Sequence, residues 1–238
     1  MLLLHYTGMQ DGEMAVKWLC MPRSEVSCHY LIHEDGRILQ MVREADRAWH
    51  AGAGSWRGGE DINSRSIGIE IVNPGHEHGY RPFPAVQVEA LTALCGEIVR
   101  RWNIPPENVL GHSDVAPGRK QDPGELFSWA TLHAAGIGHY VRPEPMAGGR
   151  FFGLGDAGEP VMAYQSMLAA YGYGIEASGH FDERTRAVTF AFQQHFRQAK
   201  VDGVADMSTI TTLHRLLSTL ASSPFAAPER PTDPVPFA

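Results

Sequence analysis

Gly111-His112-Ser113-Asp114-Val115-Ala116-Pro117-Gly118-Arg119-Lys120-Gln121-Asp122-Pro123-Gly124 is the stretch from which the rest of the chain is read. It packs an imidazole, an ammonium and a carboxylate into one short glycine- and proline-rich loop, a combination that few structural loops need. Pro123 pushes Asp122 out of the helical region into an extended conformation. Residues two apart in extended chain point the same way, so Lys120 and Asp122 are expected to face one site. A neutral imidazole and a carboxylate both suit Zn²⁺, whose catalytic sites usually take three protein ligands and leave a position for water. His112 and Asp122 supply two of the three. The candidate third is His5, in Leu2-Leu3-Leu4-His5-Tyr6-Thr7, an apolar run that reads as a buried strand with a polar interruption. Taken alone, His5 reads as a satisfied core histidine and His112 as a solvated loop residue.

Outward from this stretch, the 238 residues suggest one large domain or two smaller ones. Apolar residues at 43% and charged residues at 20% describe a globular chain. A net charge of −7 without a basic run argues against sequence-independent nucleic-acid binding, which needs cations to displace counterions from phosphates. Cys20, Cys28 and Cys95 cannot all pair and lack C-x-x-C spacing, so neither a disulfide framework nor a cysteine metal cluster is indicated. No transmembrane segment is expected, since no apolar stretch approaches the length of a membrane span. Leu2 to Leu4 is too short for the apolar core of a signal peptide.

Along the chain, Asp11 to Met21 reads as a helix closed by Pro22. Val26 to Ile32 and Arg37 to Val42 read as strands joined at Glu34-Asp35-Gly36, a hairpin signal. His29 and His33 read as ordinary strand residues. Ala48 to Gly59 is a glycine-rich loop carrying Trp49 and Trp56. These rings either line a ligand groove or cover the sheet edge. In Ser66 to Val72, Ile67, Ile69 and Ile71 share one face and Gly68, Glu70 and Val72 the other. Among apolar neighbours Glu70 tends toward a raised pKa, which suits a general base; the alternative is pairing with a cation such as Lys120. Val88, Leu91, Cys95, Ile98 and Trp102 alternate steps of three and four, giving a helix over 85–102 that packs one sheet face. Val109-Leu110 is a short strand delivering His112, and Glu125 to Ala135 a closing helix. Strands and helices thus alternate around a mixed central sheet, an α/β domain over 1–140.

A proline- and glycine-rich linker over 141–152 follows. Beyond it, three amphipathic segments, two of them capped by Asp182 and Ser208, make a small three-helix bundle over 153–222. Residues 223–238 read as a proline-rich disordered tail.

Leu4-His5-Tyr6-Thr7, His29-Tyr30-Leu31-Ile32, Ala48-Trp49-His50-Ala51-Gly52, Ser66-Ile67-Gly68-Ile69-Glu70 and the stretch from Gly111 to Gly124, in that order, resemble the type-2 N-acetylmuramoyl-L-alanine amidases, whose fold is shared with peptidoglycan recognition proteins. The bundle, through Gly155-Asp156-Ala157-Gly158, Tyr171-Gly172-Tyr173, Phe192-Gln193 and Asp202-Gly203, resembles the peptidoglycan-binding module found beside wall hydrolases. The resemblance implies zinc held by His5, His112 and Asp122, with Glu70 and Lys120 catalytic. Trp49, His50 and Asn63 are further candidates for binding substrate. The resemblance implies hydrolysis of the amide between the lactyl group of N-acetylmuramic acid and L-alanine in peptidoglycan or muropeptides; a monomer is expected. Rival readings are a non-catalytic receptor on the same fold and a phage-type lysin. A wall-binding module favours the cell envelope; with no signal peptide read at Leu2 to Leu4, the expectation is either a cytoplasmic protein or a truncated start. Because all five proposed metal and catalytic residues precede the linker, a fragment ending near Arg142 is expected to fold and cleave soluble muropeptides.

Overall fold

The computed structural model describes residues 1–146, 148–149 and 151–221. Among them, β1 (Leu2–Tyr6), β2 (Tyr30–Ile32), β3 (Ile38–Gln40), β4 (Ile67–Ile71) and β5 (Val109–Gly111) form one sheet in the order β3-β2-β4-β1-β5. β1 is parallel to β4 and β5, β2 is parallel to β4, and β3 is antiparallel to β2. The expected mixed sheet is therefore present. Around it lie α1 (Gly12–Leu19), α2 (Ala85–Trp102), α3 (His112–Val115) and α4 (Trp129–Ala134), followed by α5 (Glu159–Tyr171), α6 (Glu183–Phe196) and α7 (Met207–Ala221). No helix among the described residues is long and apolar enough to cross a membrane.

Alternation along β1 divides the core. Leu2 and Leu4 join Ile67, Ile69 and Ile71 under the Leu91, Cys95 and Ile98 stripe of α2. Leu3, pointing the other way, joins a second cluster in which Trp56, Leu110 and Val115 meet Tyr171, Tyr173, Phe192 and Phe196 of the C-terminal bundle. The bundle and the sheet domain share this core. Gly172 permits the approach: it sits at φ 143°, and a Cβ there would lie 2.8 Å from Trp56 Cε2. Its carbonyl accepts the Arg57 N–H at 2.8 Å. A fragment ending near Arg142 would expose the sheet domain's half of the core, and the expectation that it folds and works alone is revised accordingly.

Smaller differences have local causes. The helix expected from Glu125 starts at Trp129, and the Leu126 N–H goes instead to the Tyr80 hydroxyl at 3.0 Å. The last helix is capped by Asp206, whose Oδ1 accepts the Thr209 N–H at 2.8 Å. Ser208 lies inside that helix and donates to the Glu144 carbonyl. The expected linker is thereby tied to α7, with Arg215 and Glu144 paired at 3.1 Å. Asp182 caps α6 as expected, accepting the Thr185 N–H. The tail over 223–238 lies outside the described residues.

Candidate active site

The site is built at the carboxyl ends of parallel strands, where open α/β sheets gather their ligands. In the β1–β4 register His5 is the partner of Glu70, and both project on the face opposite α2. β5 ends at Gly111, and His112 follows at once as the first residue of α3. The loop then returns through Asp122, joined to Pro123 by a cis peptide bond. Tyr80 fixes that turn by donating its hydroxyl to the Pro123 carbonyl at 2.7 Å.

These paths bring the three expected ligands together. His5 Nδ1 lies 2.9 Å from His112 Nδ1 and 2.9 Å from Asp122 Oδ2, and His112 Nδ1 lies 3.0 Å from the same oxygen. All three side chains are buried. The outer hydrogen bonds decide what these atoms offer. His112 Nε2 lies 2.8 Å from the Ala51 carbonyl, which can only accept, so Nε2 carries the proton and Nδ1 the lone pair. On the other ring, the Ser66 hydroxyl donates to the Ile62 carbonyl at 2.6 Å, and its oxygen accepts from His50 Nε2. His50 Nδ1 is then the acceptor for His5 Nε2–H at 3.0 Å, which turns the His5 Nδ1 lone pair inward. Two imidazole lone pairs and a carboxylate oxygen thus converge, a donor set that suits a transition-metal cation.

Electrostatics agree with that arrangement. Burial, then the neighbouring His112, lowers His5 to about 4, so its imidazole is neutral near pH 7. Burial would raise Asp122, but its closeness to the His112 and His5 rings outweighs it and holds the carboxyl well below its usual range. Glu70 is pushed well above the ordinary carboxyl value by burial first and the Asp122 charge second, with Lys120 opposing. Among the described residues Glu70 Oε2 has no hydrogen-bond partner. Lys120 is exposed on the rim of the same pocket, which His5, Glu70, His112 and Asp122 also line.

The candidate substrate residues have separate fates. Trp49 is 57% exposed, with the Arg47 guanidinium 4.6 Å from its ring centre, while Trp56 is 1% exposed under the bundle. His50 lines the pocket yet is engaged as the orienting partner of His5. Gly68 makes room for it, since a Cβ there would lie 2.4 Å from the His50 ring. Asn63 is turned to the backbone: its Oδ1 accepts the His50 and Ala51 N–H groups at 3.0 and 2.8 Å. Sequence reasoning missed the orienting role of His50, for which its place in Ala48-Trp49-His50-Ala51-Gly52 was the only signal. It also missed Asp114, fully buried beside the site.

Comparison with known proteins agrees with this geometry. The N-acetylmuramoyl-L-alanine amidase family profile matches residues 1–125, and a peptidoglycan-binding-domain profile matches 157–213. The Escherichia coli N-acetylmuramoyl-L-alanine amidase AmiD is 36% identical over 232 residues, 91% of this chain and 81% of that protein. The Enterobacter cloacae 1,6-anhydro-N-acetylmuramyl-L-alanine amidase AmpD is 36% identical over 129 residues, 54% of this chain and 67% of its own. Among solved structures, the complex of E. coli AmiD with anhydro-N-acetylmuramic acid-L-Ala-D-γ-Glu-L-Lys superposes with a TM-score of 0.80 at 35% identity, covering 94% of this chain and 90% of that one. Pseudomonas aeruginosa AmpDh3 with an anhydromuramic pentapeptide gives 0.75 at 32% identity, covering 92% and 91%. A matching profile over half the chain, relatives at this identity and a shared two-part fold lead to one conclusion: the chain belongs to the N-acetylmuramoyl-L-alanine amidase family and is an amidase of that type.

Proposed function

We propose that the chain is a zinc-dependent hydrolase of the amide joining the lactyl group of N-acetylmuramic acid to L-alanine, with His5, His112 and Asp122 as metal ligands. The observation that carries the reading is the pair of imidazole lone pairs turned toward one carboxylate oxygen. Zinc held there supplies Lewis-acid polarisation of the carbonyl and acidification of water. Glu70, which lines the pocket, takes the proton of the attacking water and returns it to the departing alanine nitrogen as the C–N bond breaks. The Lys120 ammonium on the rim balances the negative charge that develops on the carbonyl oxygen. Trp49 offers an exposed ring beside the pocket for the sugar or the stem peptide. The muropeptide complexes of AmiD and AmpDh3 support muropeptides as the substrate class. The domain reading, a catalytic part over 1–140 and a wall-binding part over 153–222 joined by 141–152, belongs to the same proposal. Chelation should abolish release of alanine-headed peptides from an anhydro-muropeptide, read by mass spectrometry, and stoichiometric zinc should restore it. Undiminished cleavage by the metal-free chain would refute the mechanism.

A further inference from the structure

Asp114 has a place in this site that its position in the sequence does not explain. Its carboxylate is fully buried, and three donors converge on it: the Gly111 N–H at 2.8 Å and His195 Nδ1 at 2.7 Å on Oδ2, and the Tyr173 hydroxyl at 2.6 Å on Oδ1. Two of the three come from the C-terminal bundle. Both are held rigidly, the His195 ring stacked on Trp129 at 3.6 Å between centroids and on Phe196 at 3.8 Å, and the Tyr173 ring edge-on to Trp56 at 5.1 Å.

What Asp114 holds is the metal-ligand turn. Through the Gly111 N–H it reaches the residue immediately before His112, and it lies two residues after it, so it spans the first ligand of the loop. Between them the Ser113 N–H donates to the Asp122 carbonyl at 3.0 Å, tying the second loop ligand to the same turn. α3 has four residues, too few to persist as a helix without outside contacts. A buried carboxylate deprived of its donors is costly and will move to recover them. We infer that Tyr173 and His195 are positioning residues for His112, acting through Asp114, so that the bundle forms part of the active-site framework as well as a wall-binding appendage. This rests on reading His112 as a metal ligand.

The test uses the full chain and four variants: Tyr173→Phe, His195→Phe, His195→Asn and Leu213→Ala. Zinc affinity is measured by competition with a chromogenic chelator, alongside kcat and KM on an anhydro-muropeptide and the melting temperature, all assays being run below melting. Loss of an outer partner of a metal ligand typically weakens affinity or activity ten- to a hundredfold. Tyr173→Phe and His195→Phe should therefore each weaken zinc binding by about tenfold or more and lower kcat with KM little changed. His195→Asn, whose amide can place an N–H near the lost Nδ1, should recover most of both. Leu213 is buried in α7, outside the network; its truncation should lower the melting temperature and leave zinc affinity alone. Wild-type zinc affinity and kcat in both phenylalanine variants would overturn the inference. So would an equal loss in Leu213→Ala, which would reduce the effect to general loosening. If His195→Phe does not fold, Tyr173→Phe, which deletes one oxygen, decides the question by itself. Wild-type protein that neither binds zinc nor turns over would instead refute the ligand assignment.

Discussion

His5 and Glu70 are register partners on adjacent parallel strands. The proposed first ligand and the proposed base are therefore spaced by backbone hydrogen bonds, independently of any loop, and the pocket's floor is as rigid as the sheet. His112 and Asp122, by contrast, arrive on a short turn and a return loop, which need bracing from outside.

This division of labour separates variants by their effects. Glu70→Ala and Lys120→Ala should keep zinc and lose turnover, by roughly 10²- to 10⁴-fold for the base. His5→Ala should lose zinc affinity itself. Metal analysis beside single-turnover rates distinguishes them, and a Glu70→Ala protein emptied of metal while His5→Ala stays loaded would reverse the assignments.

Gly68→Ala should harm the site although residue 68 touches no ligand. The added methyl meets the His50 ring at 2.4 Å, and His50 cannot yield without releasing His5 Nε2. A loss of about 1–3 kcal/mol in stability is expected from overpacking, accompanied by weaker zinc binding. Chelator-competition and melting curves would show both; unchanged curves would mean that the ring has somewhere else to go.

Acid should destabilise the metal-free chain over a defined interval. His5 titrates near 4 when folded and near 6.5 when unfolded. Between these values the unfolded chain binds more protons, so stability rises with pH and is lost as pH falls from 6.5 toward 4. His50, also lowered by burial and by its histidine neighbours, acts in the same direction. Melting temperatures in chelator should fall across this window, and His5→Gln should flatten the fall. Glu70, raised by burial, opposes both from about 4.5 upward, so the comparison is made in a Glu70→Gln background, where a flat profile would contradict the burial of neutral imidazoles.

Removing residues after Arg142 should abolish activity on soluble and insoluble substrates alike, because Trp56, Leu110 and Val115 lose their cover and Asp114 loses two donors. Light scattering and muropeptide assays on the fragment provide the check. A monomeric fragment with full soluble activity would show that the shared core is dispensable.

How much of this could be read from the chain depended on the range of the interaction. The helix over 85–102 was legible to the residue, since its signal is a periodicity carried within it. The clustering of His5, His112 and Asp122 was legible because two members share one loop and the third interrupts an apolar strand. Trp49 and Trp56 share a loop of similar composition, and nothing local says which ring the bundle will bury. The start of α4 depended on Tyr80, 46 residues from Leu126. Asp114 and His195 are 81 residues apart, and neither carries a mark of the other.

Gly172, seated against Trp56, has an implication for how such two-part enzymes arise. A bundle joined by a passive tether could be exchanged for another by recombination at the linker, with each half folding as before. Here the incoming half would have to bring a glycine at the point of closest approach, rings to complete the apolar seam and donors for Asp114. The two halves of this gene are therefore constrained to diverge together, and domain shuffling at residues 141–152 would be selected against even where the reading frame is kept.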